Sequence, residues 1–240
     1  MKSKDEVLKR AVCLLLFSDR CDLEDMVFDG IRRSLEEREN QRKTIIKWAQ
    51  LKEYYDYLTA KEKRIIETPV IRETNEEARL CINDYECIEP LLWSLGLVDN
   101  LHDYDEFVLD NFHTPLKIGA KHTIEMLSEV CFFRSIDVIE KKREIAMLWY
   151  WRCLECRNTS IKIINYINAI KDIFGEEYIK LLEDYAYFDM NKGDFVVKGK
   201  TVTELSDSEI AKLEVIAERR FYAFEWLCTD EEWDNVDLIC

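Results

Sequence analysis

Hydrophobic positions along this chain recur at helical spacing almost throughout. Val7, Ala11, Leu14 and Leu15 share one face of a predicted helix over about residues 4–17. A second helix is expected from about Asp22 to Glu37, with Leu23, Met26, Val27, Ile31 and Leu35 inward and Gly30 weakening its middle. A third, over 40–58, places Ile45, Trp48, Leu51 and Tyr55 on one stripe. Thr59 and Glu62 stand at capping-box spacing, so a short helix follows. It stops near Thr68, because Pro69 disfavours helical backbone in the residue before it. Asn75 opens the next helix, with Glu76 and Glu77 in the first turn, where the helix dipole favours anions. It runs to Gly96, which suits a left-handed stop, with a kink or break expected at Pro90.

Residues 97–116 read as irregular, with Pro115 among them. Two further helices follow, over about 121–139 and 141–156. The second contains "IAMLWYW" (145–151), apolar on every side and therefore expected to be buried on every side, as the centre of the core. Helices over 160–174 and 176–188 are separated by Gly175. The β signal lies in "DFVVKGKTVTEL" (194–205), two branched runs flanking Gly199, which predicts one small hairpin near 194–203. Ser206 and Glu209 form a second capping box, with Leu205 and Ile210 placed for the hydrophobic staple, and start a long last helix. The fold class is mainly α: a multi-helix, orthogonal-type bundle with one small hairpin. A single domain over 1–240 is the simplest organisation, with helix 143–155 packed against the helices ending at Leu95 and Leu227. A split near 97–116 is the alternative.

Composition agrees with long helices, since Gly and Pro together number nine in 240 residues. The formal net charge is −15, from 49 acids and 34 bases. That field repels polyanions, so neither nucleic acid nor an anionic membrane is the expected partner; solubility or a basic partner protein is. Nine scattered cysteines, with no secretory signal and no stretch near the roughly 18 apolar residues of a membrane span, point to reduced thiols in a cytoplasm.

The candidate chemistry is sparse. Cys153 and Cys156 form a lone C-x-x-C at the end of a helix, without the second pair a structural zinc needs. His102, His113 and His122 lie near several acids but at no metal-ligand spacing, so no metal and no cofactor are expected. No phosphate-cradling glycine loop, nucleophile elbow or H-E-x-x-H helix occurs. The arginines carry more information. On the last helix Ile210, Leu213, Ala217, Arg220, Phe224 and Leu227 form one stripe, which sets a permanent cation in an apolar seam. Arg152 follows Trp149, Tyr150 and Trp151 at the end of the buried helix, and Arg143 precedes it. A buried guanidinium needs a partner, because breaking such a pair costs about 3–5 kcal/mol. Glu86, Glu89, Asp234 and Asp237 are the candidate acids. Either the arginines clamp helices through fork-like ion pairs, or Arg152 and Arg220 converge on an anion pocket lined by Trp149, Trp151 and Trp226.

Three segments resemble the bacterial DUF4272 family of uncharacterised proteins. "IAERRFYAFEWLC" with the following "WDNVD" (216–237) is similar to the family's C-terminal signature. "REIAMLWYWR" (143–152) is similar to its R-x-I-A-x-L-W-H-W-R segment, and "ECIEPLLWSLG" (86–96) to its E-A-L-x-x-L-L-W-A-L-G segment. The resemblance spans about 40–237, with the N-terminal helices of 1–37 packed onto that region, and places family arginines on Arg152 and Arg220. Arg219, Glu225 and Tyr150 depart from the pattern, which has Glu, Asn and His there, and Asn235 to Asp237 lack the family's terminal threonines. The family has no assigned reaction. The expectation is a cytoplasmic, non-enzymatic interaction or regulatory protein with an acidic face, an immunity-type inhibitor being one version. An anion-binding protein or hydrolase using Arg152 and Arg220 is the alternative. The oligomeric state is not legible.

Overall fold

The computed structural model describes residues 2–28, 31–157, 166–183, 185 and 187–239. The fold is mainly α-helical with a small antiparallel sheet. The chain divides into two compact units: residues 1–101, 108–134 and 226–236 form the first, and 102–107, 135–225 and 237–240 the second.

In the first unit, α1 (Lys4–Asp22) is buried along most of its length. Its run Ala11–Phe17 is buried on every side of the helix. A capping box starts it, with Ser3 accepting from the Glu6 N–H and Glu6 accepting from the Ser3 N–H. A two-stranded ribbon, β1 (Val27–Phe28) and β2 (Ile31–Arg32), follows, and a Ser34–Glu37 box opens α2 (Leu35–Leu51). The helix expected over 22–37 is therefore replaced by a turn and this ribbon. Met26 and Leu35 are exposed, Leu23 is buried, and Gly30 lies outside the described residues. The stripe Ile45, Trp48, Leu51 and Tyr55 is also corrected. The buried positions of α2 are Arg38, Arg42 and Ala49, and Leu51 is 73 % exposed. Tyr55 falls in a separate 3₁₀ turn (Tyr55–Tyr57).

Thr59 and Glu62 do cap α3 (Ala60–Glu67), which ends before Pro69. Asn75 caps α4 (Glu76–Leu80), but the expected continuous helix then becomes a 3₁₀ stretch (Cys81–Cys87) and α5 (Ile88–Ser94). Pro90 is the third residue of α5. Its missing N–H falls in the first turn, where no intrahelical acceptor exists, so it breaks nothing. Gly96 takes the left-handed stop at φ 66°. The predicted helix over 121–139 is broken: α6 (Ile124–Ser128) forms, and 136–139 instead begin the next long helix. The chain after α6 runs across the end of α5, where the Phe132 and Arg134 N–H groups donate to the Leu95 and Ser94 carbonyls at 3.1 and 2.8 Å.

The second unit is built on α7 (Ile136–Arg157), longer than the sequence pattern implied. Leu148, Trp149, Trp151 and Cys153 of α7 form one apolar cluster with Ile170 of α8 (Tyr166–Ile173) and with Ile179 and Leu182 of α9 (Glu176–Glu183). Leu213 and Ala217 of α10 (Asp207–Cys228) complete it. The start of the helix expected over 160–174 lies outside the described residues. A sheet of β3 (Phe188–Asp189), β4 (Asp194–Val197) and β5 (Lys200–Thr201) covers part of this cluster, Phe195 being fully buried in it. β4 and β5 are the predicted hairpin. Lys198 and Gly199, at φ 48° and 84°, make the two-residue turn whose twist matches the strands. The expected central helix thus organises one core. The helix ending at Leu95 belongs to the first unit, where α5 packs on α1.

Truncating Leu15 to Ala should cost about 2–5 kcal/mol, the range for a buried leucine that leaves a cavity. Leu51→Ala should cost about 0.5 kcal/mol or less in the same urea-unfolding measurement.

Candidate functional site

Arg152 and Arg220 are both fully buried. Arg152 makes a two-pronged ion pair with Asp194 at the start of β4, Nε to Oδ1 at 2.7 Å and Nη2 to Oδ2 at 2.9 Å. Its remaining nitrogen, Nη1, reaches Cys156 Sγ at 2.7 Å, and the Tyr166 ring lies 3.7 Å from the guanidinium carbon. Burial opposes the charge, and the hydrogen bonds and field of Asp194 more than offset it, so the guanidinium holds its proton above the ordinary arginine value. Asp194 also accepts from the Phe195 N–H. One carboxylate thus ties the end of α7 to the first strand of the hairpin.

Arg220 of α10 donates to the main-chain carbonyls of His102 and Asp103, with the Tyr104 ring 4.8 Å away. Tyr104 stacks on Trp149 at 5.1 Å, and Trp149 donates its indole N–H to Tyr185. The cation in the apolar stripe therefore anchors a loop that would otherwise bury bare carbonyls. Trp151 packs edge-on against Phe174. Trp226 belongs to the first unit, where it meets Trp233 at 5.3 Å with Lys2 over its ring. Arg143 stands 3.9 Å from Glu225, both partly exposed. The acid that pairs with Arg152 was not among the four candidates. Asp194 is 42 residues away, and only the hairpin signal around it hinted at an inward strand. Of the four, Glu86 accepts from the Val108 N–H at 2.7 Å, Glu89 is fully buried, and Asp234 and Asp237 are exposed.

Among the described residues no group of three or more His, Cys, Asp or Glu could hold a metal ion. Burial pushes the Cys153 thiol up to about 12 and raises Cys156 as well, so both thiols of the C-x-x-C stay protonated and unreactive at neutral pH. No disulfide joins the described cysteines. No described helix is long and apolar enough to cross a membrane.

Two histidines of the first unit have contrasting protonation. His122, buried, donates from Nδ1 to the Leu116 carbonyl at 2.9 Å and accepts at Nε2 from the Tyr54 hydroxyl at 2.5 Å, with Trp48 against both rings. It is neutral, and burial holds its pKa below the ordinary 6.5. His113 lines a groove of about 430 Å³ beside the C-terminal end of α1, together with Asp19, Asp22, Arg33, Gln41 and Thr44. No periodicity in the sequence marked this groove. Its walls come from segments far apart in the chain.

These features define a mainly helical protein whose buried cations are tied to internal acceptors. The chain belongs to the family described as a domain of unknown function, DUF4272, whose profile matches residues 1–169. The match includes the Glu86–Gly96 and Arg143–Arg152 segments; against the expected span of about 40–237, it takes in the N-terminal residues and ends before the 216–237 segment. No curated protein and no solved structure matches the chain.

Two outcomes follow from this geometry. Asp194→Ala should destabilise the protein by about 3–5 kcal/mol, because it leaves a buried guanidinium without its carboxylate. An Arg152→Met/Asp194→Leu double variant should recover much of that loss in urea unfolding. For His122, the unfolded chain takes up its proton at a higher pH than the folded protein does. Its contribution to stability is therefore complete above about pH 6.5 and lost as pH falls through the folded value. Between pH 7 and 5, the urea midpoint of the wild type should fall further than that of His122→Gln.

Proposed function

We propose that this is a non-enzymatic interaction or regulatory protein that presents an acidic surface to a basic partner protein. The observation that carries this reading is where the charges lie. Seven Lys and Arg but only five Asp and Glu are buried among the described residues. Among the described residues folding therefore withdraws more bases than acids from solvent, which supports an outward shell more acidic than the net −15 of the chain. Such a shell accelerates encounter with a basic protein and disfavours nucleic acid and anionic membranes. Inhibition of a basic toxin or enzyme by masking its positive face is one form this role takes. The setting that suits it is a cytoplasm, given that no disulfide joins the described cysteines.

The anion-pocket alternative asks Arg152 and Arg220 to hold a ligand. Their bonds to Asp194 and to the His102 and Asp103 carbonyls support a structural role instead.

The test is affinity capture from the source cells at low salt, with the retained proteins identified by mass spectrometry. The expected result is a dominant basic protein whose binding weakens steeply as salt rises and the Debye length shrinks from about 30 Å to about 10 Å. Capture of an acidic protein by a salt-insensitive contact would count against the reading.

A further inference from the structure

His113 occupies an unusual position. Its Nε2 lies 2.9 Å from Asp19 Oδ2, and its Nδ1 lies 3.0 Å from Asn111 Oδ1. The same Asn111 oxygen accepts from the His113 backbone N–H at 3.0 Å, which fixes that atom as an acceptor rather than the amide nitrogen. Both ring nitrogens therefore face acceptors, and only the doubly protonated imidazolium can donate to both. The hydrogen bond to Asp19 raises the affinity of the ring for its proton, in the same direction as the geometry.

Asp19 and His113 line the same groove as Asp22 and Arg33. The two ion pairs there differ in permanence. Arg33 donates to Asp22 Oδ2 at 3.2 Å and also to the Asp22 and Asp25 carbonyls at 2.6 and 2.7 Å, two ties to main-chain oxygens that cannot titrate away. The His113 cation can lose its charge. Neutral, it keeps one donor and leaves the Asp19 carboxylate in the groove without its counterion. The groups facing this pair are Asp22 on α1, Asp25 after it, Arg33, and Tyr85 with Asp110 beyond Asp19. Asn40, Gln41 and Thr44 of α2 line the facing wall without charge.

We propose that Asp19 is a cation-accepting position for a lysine or arginine side chain of the basic partner, and that His113 is the resident cation which a proton keeps in place. The site rests on the reading of a basic partner and gives that partner a point of entry. Imidazolium and incoming guanidinium or ammonium compete for one carboxylate. Cation binding therefore strengthens as pH rises through the His113 titration, and by reciprocity a bound cation lowers the pH at which His113 titrates.

The experiment uses the full chain and a tri-arginine peptide, N-acetylated and C-amidated. The ring resonances of the three histidines are followed by NMR from pH 5 to 9 with and without peptide. Without peptide, His113 should titrate above 6.5, and in Asp19→Asn it should return toward that ordinary value. Saturating peptide should lower the wild-type midpoint by about half a pH unit, a threefold preference for the neutral ring. A midpoint that does not move, that moves equally in Asp19→Asn, or that moves equally with sodium chloride of matched ionic strength overturns the proposal. The wild-type comparison needs no variant to fold. If cells yield a basic partner that Asp19→Asn still binds as tightly, the groove assignment fails and the functional reading stands. If the peptide shifts His113 but no basic protein is captured, the functional reading fails and the site stands.

Discussion

Helices that end inside a protein expose carbonyl groups that must find donors, and this chain meets that demand mainly with guanidinium groups. Arg33 and Arg38 donate to the Asp22 and Leu23 carbonyls at the end of α1. Arg42 donates to Ile66 and Glu67, and Arg20 to Thr68, at the end of α3. Arg134 donates to Trp93 near the end of α5. Each buried carbonyl left bare would cost about 1–3 kcal/mol. A cation at a helix C-terminus also meets the negative end of the helix dipole. With six glycines in 240 residues, the usual left-handed stop is available at few ends, and the arginine fork replaces it.

The acids that neutralise these arginines are themselves at junctions. Glu24 pairs with Arg20 through one oxygen and accepts the Asn75 N–H through the other, at the cap of α4. Glu39 holds Arg42 by both oxygens and accepts from the Val70 N–H. Glu62 serves the capping box of α3 while pairing with Arg10 of α1. Asp194 does the same in the second unit, between α7 and the hairpin. Every such network satisfies main-chain groups as well as a charge. That is the condition under which burying an ion pair repays its desolvation and fixes one arrangement of helices.

This economy also decides what the sequence could disclose. Elements marked by local chemistry were legible: the Thr59–Glu62 and Ser206–Glu209 boxes, the Gly96 stop, and the Lys198–Gly199 turn. The Ser34–Glu37 box carried the same signal and would have placed the start of α2 correctly. Hydrophobic periodicity misled where arginine stems form the inward face. Arg38 and Arg42 took the buried side of α2, and the apolar stripe through Leu51 was left outside. The burial of Arg152 and Arg220 was readable from their apolar neighbours. Asp194 was not, because the hairpin that brings it to Arg152 is a long-range event with no spacing rule. The groove at the end of α1 was illegible for the same reason, being assembled from α1, the residues after β2, α2 and the loop that carries His113.

The two histidines of the first unit follow from the same acceptor logic carried to titratable donors. The end of α1 supplies carboxylates and carbonyls in excess, so the imidazole that reaches it, His113, is held as a cation. His122 meets one carbonyl and one hydroxyl in a buried aromatic setting, where a second proton would be a charge without an anion, so it is held neutral. Arginine cannot respond to pH in either place. Histidine substituted into this scheme can, with opposite signs: below about pH 6.5 the His113 tie is at full strength while the His122 contact begins to fail. In a unit whose helix ends are closed by permanent cations, these two rings are the groups with ordinary values nearest neutrality, and His113 is the one of them that lines a groove.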